Sequence, residues 1–180
     1  MSLWRKAEHR MPMAETSQQY VARLRSYVDG KNPVQTQRDS LSKITKLVNG
    51  FDEERARKRP APEKWSVVEQ LAHLAECEIA SSWRYRQILE HPGSDLHGFD
   101  QDVWAKISDY SSWRLQEAFE MFRLLREANL RMLERVSEAD WEKFGNHLER
   151  GRLTLRELAV LVSGHDVNHV MQIEKIVSGA

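Results

Sequence analysis

No apolar run in the chain approaches the roughly 18 residues that a membrane-spanning helix requires, and mean hydropathy is -0.64, so a helical membrane span is excluded. Cysteine is almost missing. The single Cys77 rules out an internal disulfide and any CxxC metal site, and it suits a reducing cytoplasm, the expected location. There is no excess of either charge: 27 Lys+Arg stand against 27 Asp+Glu, which argues against charge-driven nucleic-acid binding. The one basic run, ERARKRP (54–60), reads as a solvated loop or helix end. Residues 1–15 have no apolar signal core and are expected to be partly disordered, with one domain over 16–180. Strand-like alternation is nearly absent too, and the 8 Gly and 5 Pro fall between periodic segments rather than inside them. The reading is all-α.

What is present is helical periodicity. A short helix is expected over 16–29, closed by Gly30, and a longer one over 33–51, with Pro33 suited to its first turn. The clearest segment runs from 67 to 90. Ser66 and Glu69 form a capping box before it, Trp65 sits where a hydrophobic staple belongs, and Pro92 and Gly93 close it. A loop over 93–108 leads to a helix over 112–136. A further loop or short helical turn covers 137–152, and a second capping box, Thr154 with Glu157, opens the last helix. Four long helices joined by loops make a four-helix bundle, preceded by an extra N-terminal helical segment.

The last helix carries SGHDVNH, two histidines four residues apart among Leu158, Leu161, Val162, Ile173 and Ile176. At that spacing His165 and His169 share one face. Buried imidazoles need polar partners, and a metal ion can serve both. In a bundle the remaining ligands come from a facing helix. His73 meets that requirement: it lies in EQLAHLAECE, beside Leu71, Leu74, Ala75 and Ile79. His91, His97 and His147 fall in expected loops, and His9 lies near the N-terminus. Three imidazoles would leave a metal with open positions, the catalytic pattern. Cys77, four residues after His73 on the same face, is a rival ligand, more readily read as a small buried apolar residue. The bland alternative is three core histidines satisfied by hydrogen bonds.

The Trp–Ser start at 65–66 with His–Leu at 73–74, the Phe–Asp-x-Asp of FDQDVWA, and the closing His–Asp-x-x-His occur in an order that resembles the DinB-like (YfiT-like) superfamily, over about residues 20–177. The resemblance implies a four-helix bundle with a three-histidine metal site at His73, His165 and His169. It implies a divalent metal, zinc or nickel, and a small-molecule substrate. Some members transfer low-molecular-weight thiols or use one as a cofactor in isomerisation, others are regarded as metal-dependent hydrolases, and others are stress-inducible proteins of unknown role. The expectation is therefore a thiol S-transferase or hydrolase, with a non-catalytic metal-binding or stress-response module as the alternative. Pairing as a homodimer is also implied; no nucleic acid or membrane partner is expected.

Further residues are candidates for supporting roles. Glu76 and Gln172 each lie three residues from a proposed ligand and could hold a water or an imidazole tautomer. Asp166, three before His169, could brace that ring or simply face solvent. Asp102 in FDQDVWA is the candidate general base or substrate contact, with helix capping the competing use of Asp100 or Asp102. Arg84 and Arg86 could fork onto a substrate carboxylate. Trp83, Trp104 and Trp113 are expected in the core or a pocket wall. No Ser–His–Asp set and no Gly-rich phosphate loop is found.

Overall fold

The computed structural model describes residues 15–179. The N-terminal residues before these, including His9, lie outside the described residues, and so does nearly all of the segment expected to be disordered. Four long helices form the bundle: α2 (Pro33–Val48), α4 (Val67–Glu90), α6 (Leu115–Leu133) and α8 (Leu155–Ser178). Shorter elements lie before and between them: α1 (Ser17–Ser26), α3 (Glu53–Arg57), α5 (Gln101–Ile107), a 3-10 turn (Tyr110–Ser112) and α7 (Glu138–Trp141). Among the described residues no helix is long and apolar enough to cross a membrane.

The helix ends follow from local chemistry. Asn32 accepts from the N–H groups of Val34 and Gln35, with Pro33 in the first turn, where its missing N–H costs nothing. Both expected capping boxes are present, Ser66 with Glu69 and Thr154 with Glu157, each satisfying two backbone N–H groups that a helix start leaves bare. α4 packs chiefly on α6 and α2 chiefly on α8, with α4–α8 and α2–α6 contacts closing the bundle.

The core has two apolar parts. One gathers Ile44, Val67, Leu71, Ala75, Phe122 and Ile173; the other gathers Tyr85, Ile88, Leu133, Leu155 and Leu158. Full burial of a side chain such as Phe122 or Ile173 contributes about 1.5–3 kcal/mol. Between the two parts every long helix contributes buried polar residues: Gln37 and Ser40 from α2, Glu78 and Ser81 from α4, Arg126 and Asn129 from α6, Ser163 and Asp166 from α8. A polar belt thus crosses the middle of the bundle. At its centre Arg126, 1% exposed, forks onto Asp166 at 2.5 and 2.8 Å, reaches Glu78 at 2.7 Å and donates to the Gln37 carbonyl at 3.3 Å. One side chain of α6 therefore ties down the other three long helices.

The expected loops contain more structure than their sequences suggest. Residues 95–96 (β1), 144–147 (β2) and 151–154 (β3) form a small sheet in the order β1-β2-β3. β1 runs parallel to β2 with Leu96 opposite His147, and β2 runs antiparallel to β3 with Phe144 opposite Thr154. Strands of two to four residues are too short to show alternation. Gly145 permits the sheet's close packing, since a Cβ there would stand 2.7 Å from the Leu96 side chain. The basic run ends α3 and continues as exposed chain over 58–60, the solvated helix end expected, though its Ala56 is fully buried and its Arg57 binds the carbonyls of Ser111 and Trp113.

α1 lies along α8. The approach is closest at Gly164, where a Cβ would sit 2.2 Å from the Leu24 carbonyl oxygen. Arg23 fixes the contact with a bond of 2.8 Å to Asn168 Oδ1.

Candidate metal centre

The belt brings the three histidines together. His73 descends from α4, and His165 and His169 stand one turn apart on α8. His165 Nε2 lies 3.1 Å from His73 Nε2 and 3.2 Å from His169 Nε2. His73 and His169 are buried and His165 is half-buried. Burial pushes all three imidazoles below the usual histidine range, His165 to about 4; Arg126 and Arg150 add to the effect on His165, and the neighbouring imidazoles add to it on His73 and His169. The rings are neutral at physiological pH, each with one lone pair.

Gln70 settles which nitrogen of His169 carries that lone pair. The Gln70 amide NH2 donates to the Trp65 carbonyl at 3.3 Å, which turns Oε1 toward His169 Nδ1 at 3.2 Å. An amide oxygen accepts only, so Nδ1 holds the proton and Nε2 presents its lone pair to the other rings. His165 Nε2 faces two nitrogens, and one proton cannot make a straight bond to both. A cation resolves this, because imidazoles sharing one zinc at about 2.0–2.1 Å have their nitrogens about 3.3 Å apart. The donor chemistry and spacing fit a divalent metal.

Cys77 makes a second, overlapping set. Its Sγ is 3.4 Å from His73 Nε2, and ligand atoms of His73, Cys77 and His165 lie within 4.8 Å of one another. Burial pushes the Cys77 thiol up in the metal-free chain, with Glu78 and Asp166 adding to the shift, but a metal ion deprotonates a thiol that coordinates it. The Gln70 bond turns the His169 Nε2 lone pair toward His165, so His169 and Cys77 both adjoin the His73–His165 pair. Beside His165, Arg126 is paired with both Glu78 and Asp166 in the buried belt.

A cavity of about 320 Å3 reaches His73, Cys77 and His165 from the surface. Tyr20, Val21 and Leu24 of α1 and Leu158, Leu161 and Val162 of α8 give it an apolar flank. Its polar lining includes Arg84, His147 and Arg150 together with the carboxylates of Glu78, Asp100, Glu149 and Asp166.

The DinB superfamily model matches residues 35–173. The chain belongs to the DinB superfamily. Among solved DinB-like folds, it is similar to YfiT from Bacillus subtilis, described as "a probable metal-dependent hydrolase with an unusual four-helix bundle topology", at 14% identity and a TM-score of 0.74, covering 96% of this chain and 93% of that one. It is also similar to a mycothiol-dependent maleylpyruvate isomerase at 13% identity and a TM-score of 0.66, covering 78% of this chain and 59% of that one. At these identities the likeness is one of fold. No curated protein matches the chain.

Several residues expected near this centre are placed elsewhere. Asp102 is exposed in the first turn of α5, and Asp100 is the cap, accepting from the N–H groups of Asp102 and Val103. FDQDVWA is therefore a helix start rather than a loop carrying a base. Arg86 is exposed and bonded to Ser82 on its own helix, whereas Arg84 lines the cavity. Gln172 is exposed; the amide beside the histidines is that of Gln70. Glu76 is occupied by the hydroxyls of Ser108 and Tyr110, and so anchors the segment before α6. Asp166 does line the cavity beside His165, as expected of a pocket residue, but it braces no imidazole, because Arg126 takes both of its oxygens. Trp83 is 65% exposed and Ile79 is exposed, neither of them core, while Trp104 stacks on Phe99 at 4.2 Å. His147, read as a loop residue, is buried in β2 and lines the cavity. Three short strand segments gave no signal that would have placed it there.

Proposed function

We propose that the chain is a metal-dependent enzyme in which His73, His165 and His169 hold one divalent cation, zinc or nickel, and act on a small molecule entering through the cavity. The observation that carries this reading is that His165 Nε2 faces His73 Nε2 and His169 Nε2 at 3.1 and 3.2 Å, with His73 and His165 in the wall of an open cavity. When bound, such a cation supplies Lewis acidity that makes water or a thiol a nucleophile near neutral pH. The chain supplies the rest. Burial keeps the imidazoles unprotonated, Gln70 keeps the proton on His169 Nδ1, and the apolar flank excludes bulk water from the substrate.

Nucleophile activation serves hydrolysis and thiol S-transfer alike; the two similar structures are described as a probable metal-dependent hydrolase and a mycothiol-dependent maleylpyruvate isomerase. A purely structural metal site would be closed on all sides. The cavity that reaches His73 and His165 favours an enzyme over a non-catalytic module.

The test begins with metal content by mass spectrometry of tag-free protein beside the His73→Ala/His165→Ala/His169→Ala variant. Near one metal per chain in the parent and none in the variant is expected. Equal, near-zero metal in both after incubation with zinc or nickel would overturn the reading. The loaded parent is then assayed with a panel of thiols and electrophiles, and with esters and amides. Turnover that requires an added thiol identifies the transferase, and turnover in its absence identifies the hydrolase.

A further inference from the structure

Arg84 is a buried cation without an anion. It is 8% exposed, and no Asp or Glu oxygen among the described residues lies within 4 Å of it. Arginine is rarely buried unless paired, because the lost hydration must be replaced. The other buried arginine, Arg126, has two carboxylates. Glu149, the cavity-wall carboxylate whose charge acts on Arg84, is exposed and makes no bond to it, and Glu78 and Asp166 are taken by Arg126.

The guanidinium is nonetheless held in place. Nε and Nη2 both donate to the His97 carbonyl, at 3.2 and 2.5 Å, and the group lies 5.6 Å from the centre of the Phe99 ring. One edge of the fork is thus occupied by protein. The opposite edge, Nη1 with the second hydrogen of Nη2, has no partner among the described residues. That edge offers two parallel N–H groups, the arrangement that matches a carboxylate.

Two neighbours add to it. Arg150 lines the same cavity, is exposed and makes no ion pair among the described residues. His147 accepts from the Glu149 backbone N–H through Nδ1 at 3.2 Å, so its neutral ring carries the proton on Nε2 as a further donor. Burial, with Arg150 and Arg84 nearby, lowers the His147 pKa and keeps the ring neutral.

We propose that Arg84, with Arg150 and His147, is the subsite for a carboxylate on the substrate, and that the ligand is a small monocarboxylate with an apolar middle. His73, Cys77, Ser81 and Arg84 follow one another along one side of α4, all in the cavity wall. Cys77 and Arg84 are separated by about 10 Å of helix rise. The flank of Val21, Leu24, Leu158, Leu161 and Val162 contacts the part of the ligand between the two ends. The assignment rests on the metal reading only in placing the reacting end of the ligand at the histidines.

The test is calorimetric titration of the full chain, stripped of metal with EDTA, using octanoate and octanamide, probes of one length that differ in charge. Octanoate is expected to bind about tenfold tighter or more, the worth of a charge-assisted bond. That preference falls to near parity in Arg84→Gln and weakens in Arg150→Gln. Arg150 is exposed, so R150Q keeps the test alive if loss of the His97 contact unfolds R84Q. Absent or equal binding of the two probes by the parent overturns the assignment, as does a preference unchanged in both variants. A preference that arises only after zinc is restored, and that survives R84Q, places the carboxylate on the metal and overturns it as well. Failure of the parent to take up metal would sink the enzyme reading while leaving this assignment to stand or fall on the stripped protein.

Discussion

Gln70 Oε1 and His169 Nδ1 face each other at 3.2 Å, and the bond fixes the imidazole tautomer before any metal arrives. The residue that orients a metal-ligating histidine typically contributes 10–100-fold in affinity. Gln70→Leu is expected to weaken zinc binding by about that factor while the helical CD signal is kept. Chelator competition measures it. An unchanged affinity would mean that His169 does not ligate, or that its tautomer needs no help.

Cys77 and His169 compete for the third donor position. Cys77→Ala is expected to retain one metal per chain, because His73, His165 and His169 remain. His169→Ala is expected to lose it. The reverse pattern would identify His73, Cys77 and His165 as the working set. Cobalt(II) spectra read the two cases apart, since a thiolate ligand adds an intense charge-transfer band that imidazoles lack.

Helix boundaries and the joint placement of three histidines were legible because both depend on short-range rules, capping chemistry and the 3.6-residue period. The polar belt was not. Arg126, Glu78 and Asn129 have the composition of a solvated helix face, and only the packing of four helices shows that this face points inward. Gln70 sits three residues before His73 in a stretch whose Glu69 draws attention as the cap. Asp102 reads as a base or substrate contact because it shares a run with Asp100; it is exposed in the first turn of α5, and Phe99, Asp100 and Gln101 are the residues of that run that line the cavity.

Gly164 sets how closely α1 can lie against α8. A Cβ there would meet the backbone oxygen of Leu24 at 2.2 Å, and a carbonyl cannot rotate away as a side-chain tip can. Gly164→Ala is expected to lift α1 and lower stability by about 1–3 kcal/mol, as overpacking generally does. A urea titration with faster proteolysis between α1 and α2 would show it. Wild-type stability in this variant would mean that α1 contributes little to the fold.

Glu69 predicts a stability change on the acid side. Burial pushes its carboxyl up, but the bonds from Arg59 and Ser66 outweigh burial and hold it below the usual glutamate range. A depressed folded-state value means that the stabilisation is present above the unfolded value, about 4.3, and is lost as pH falls through the folded value. Between about pH 5 and pH 3 the wild type should therefore lose stability faster than Glu69→Gln, which keeps the cap without the charge. Parallel curves for the two proteins would remove Glu69 from the account.

Arg126 tests the belt itself. Arg126→Met leaves Glu78 and Asp166 buried with no counter-cation, a change that costs about 3–5 kcal/mol when one member of a buried ion set is deleted. Most of that cost is the stranded charge rather than the lost contacts. Adding Glu78→Gln and Asp166→Asn to Arg126→Met should therefore recover a large part of it, so the triple variant unfolds at a higher urea concentration than the single one. If the three substitutions instead add, the belt is held by packing and its charges are incidental to stability.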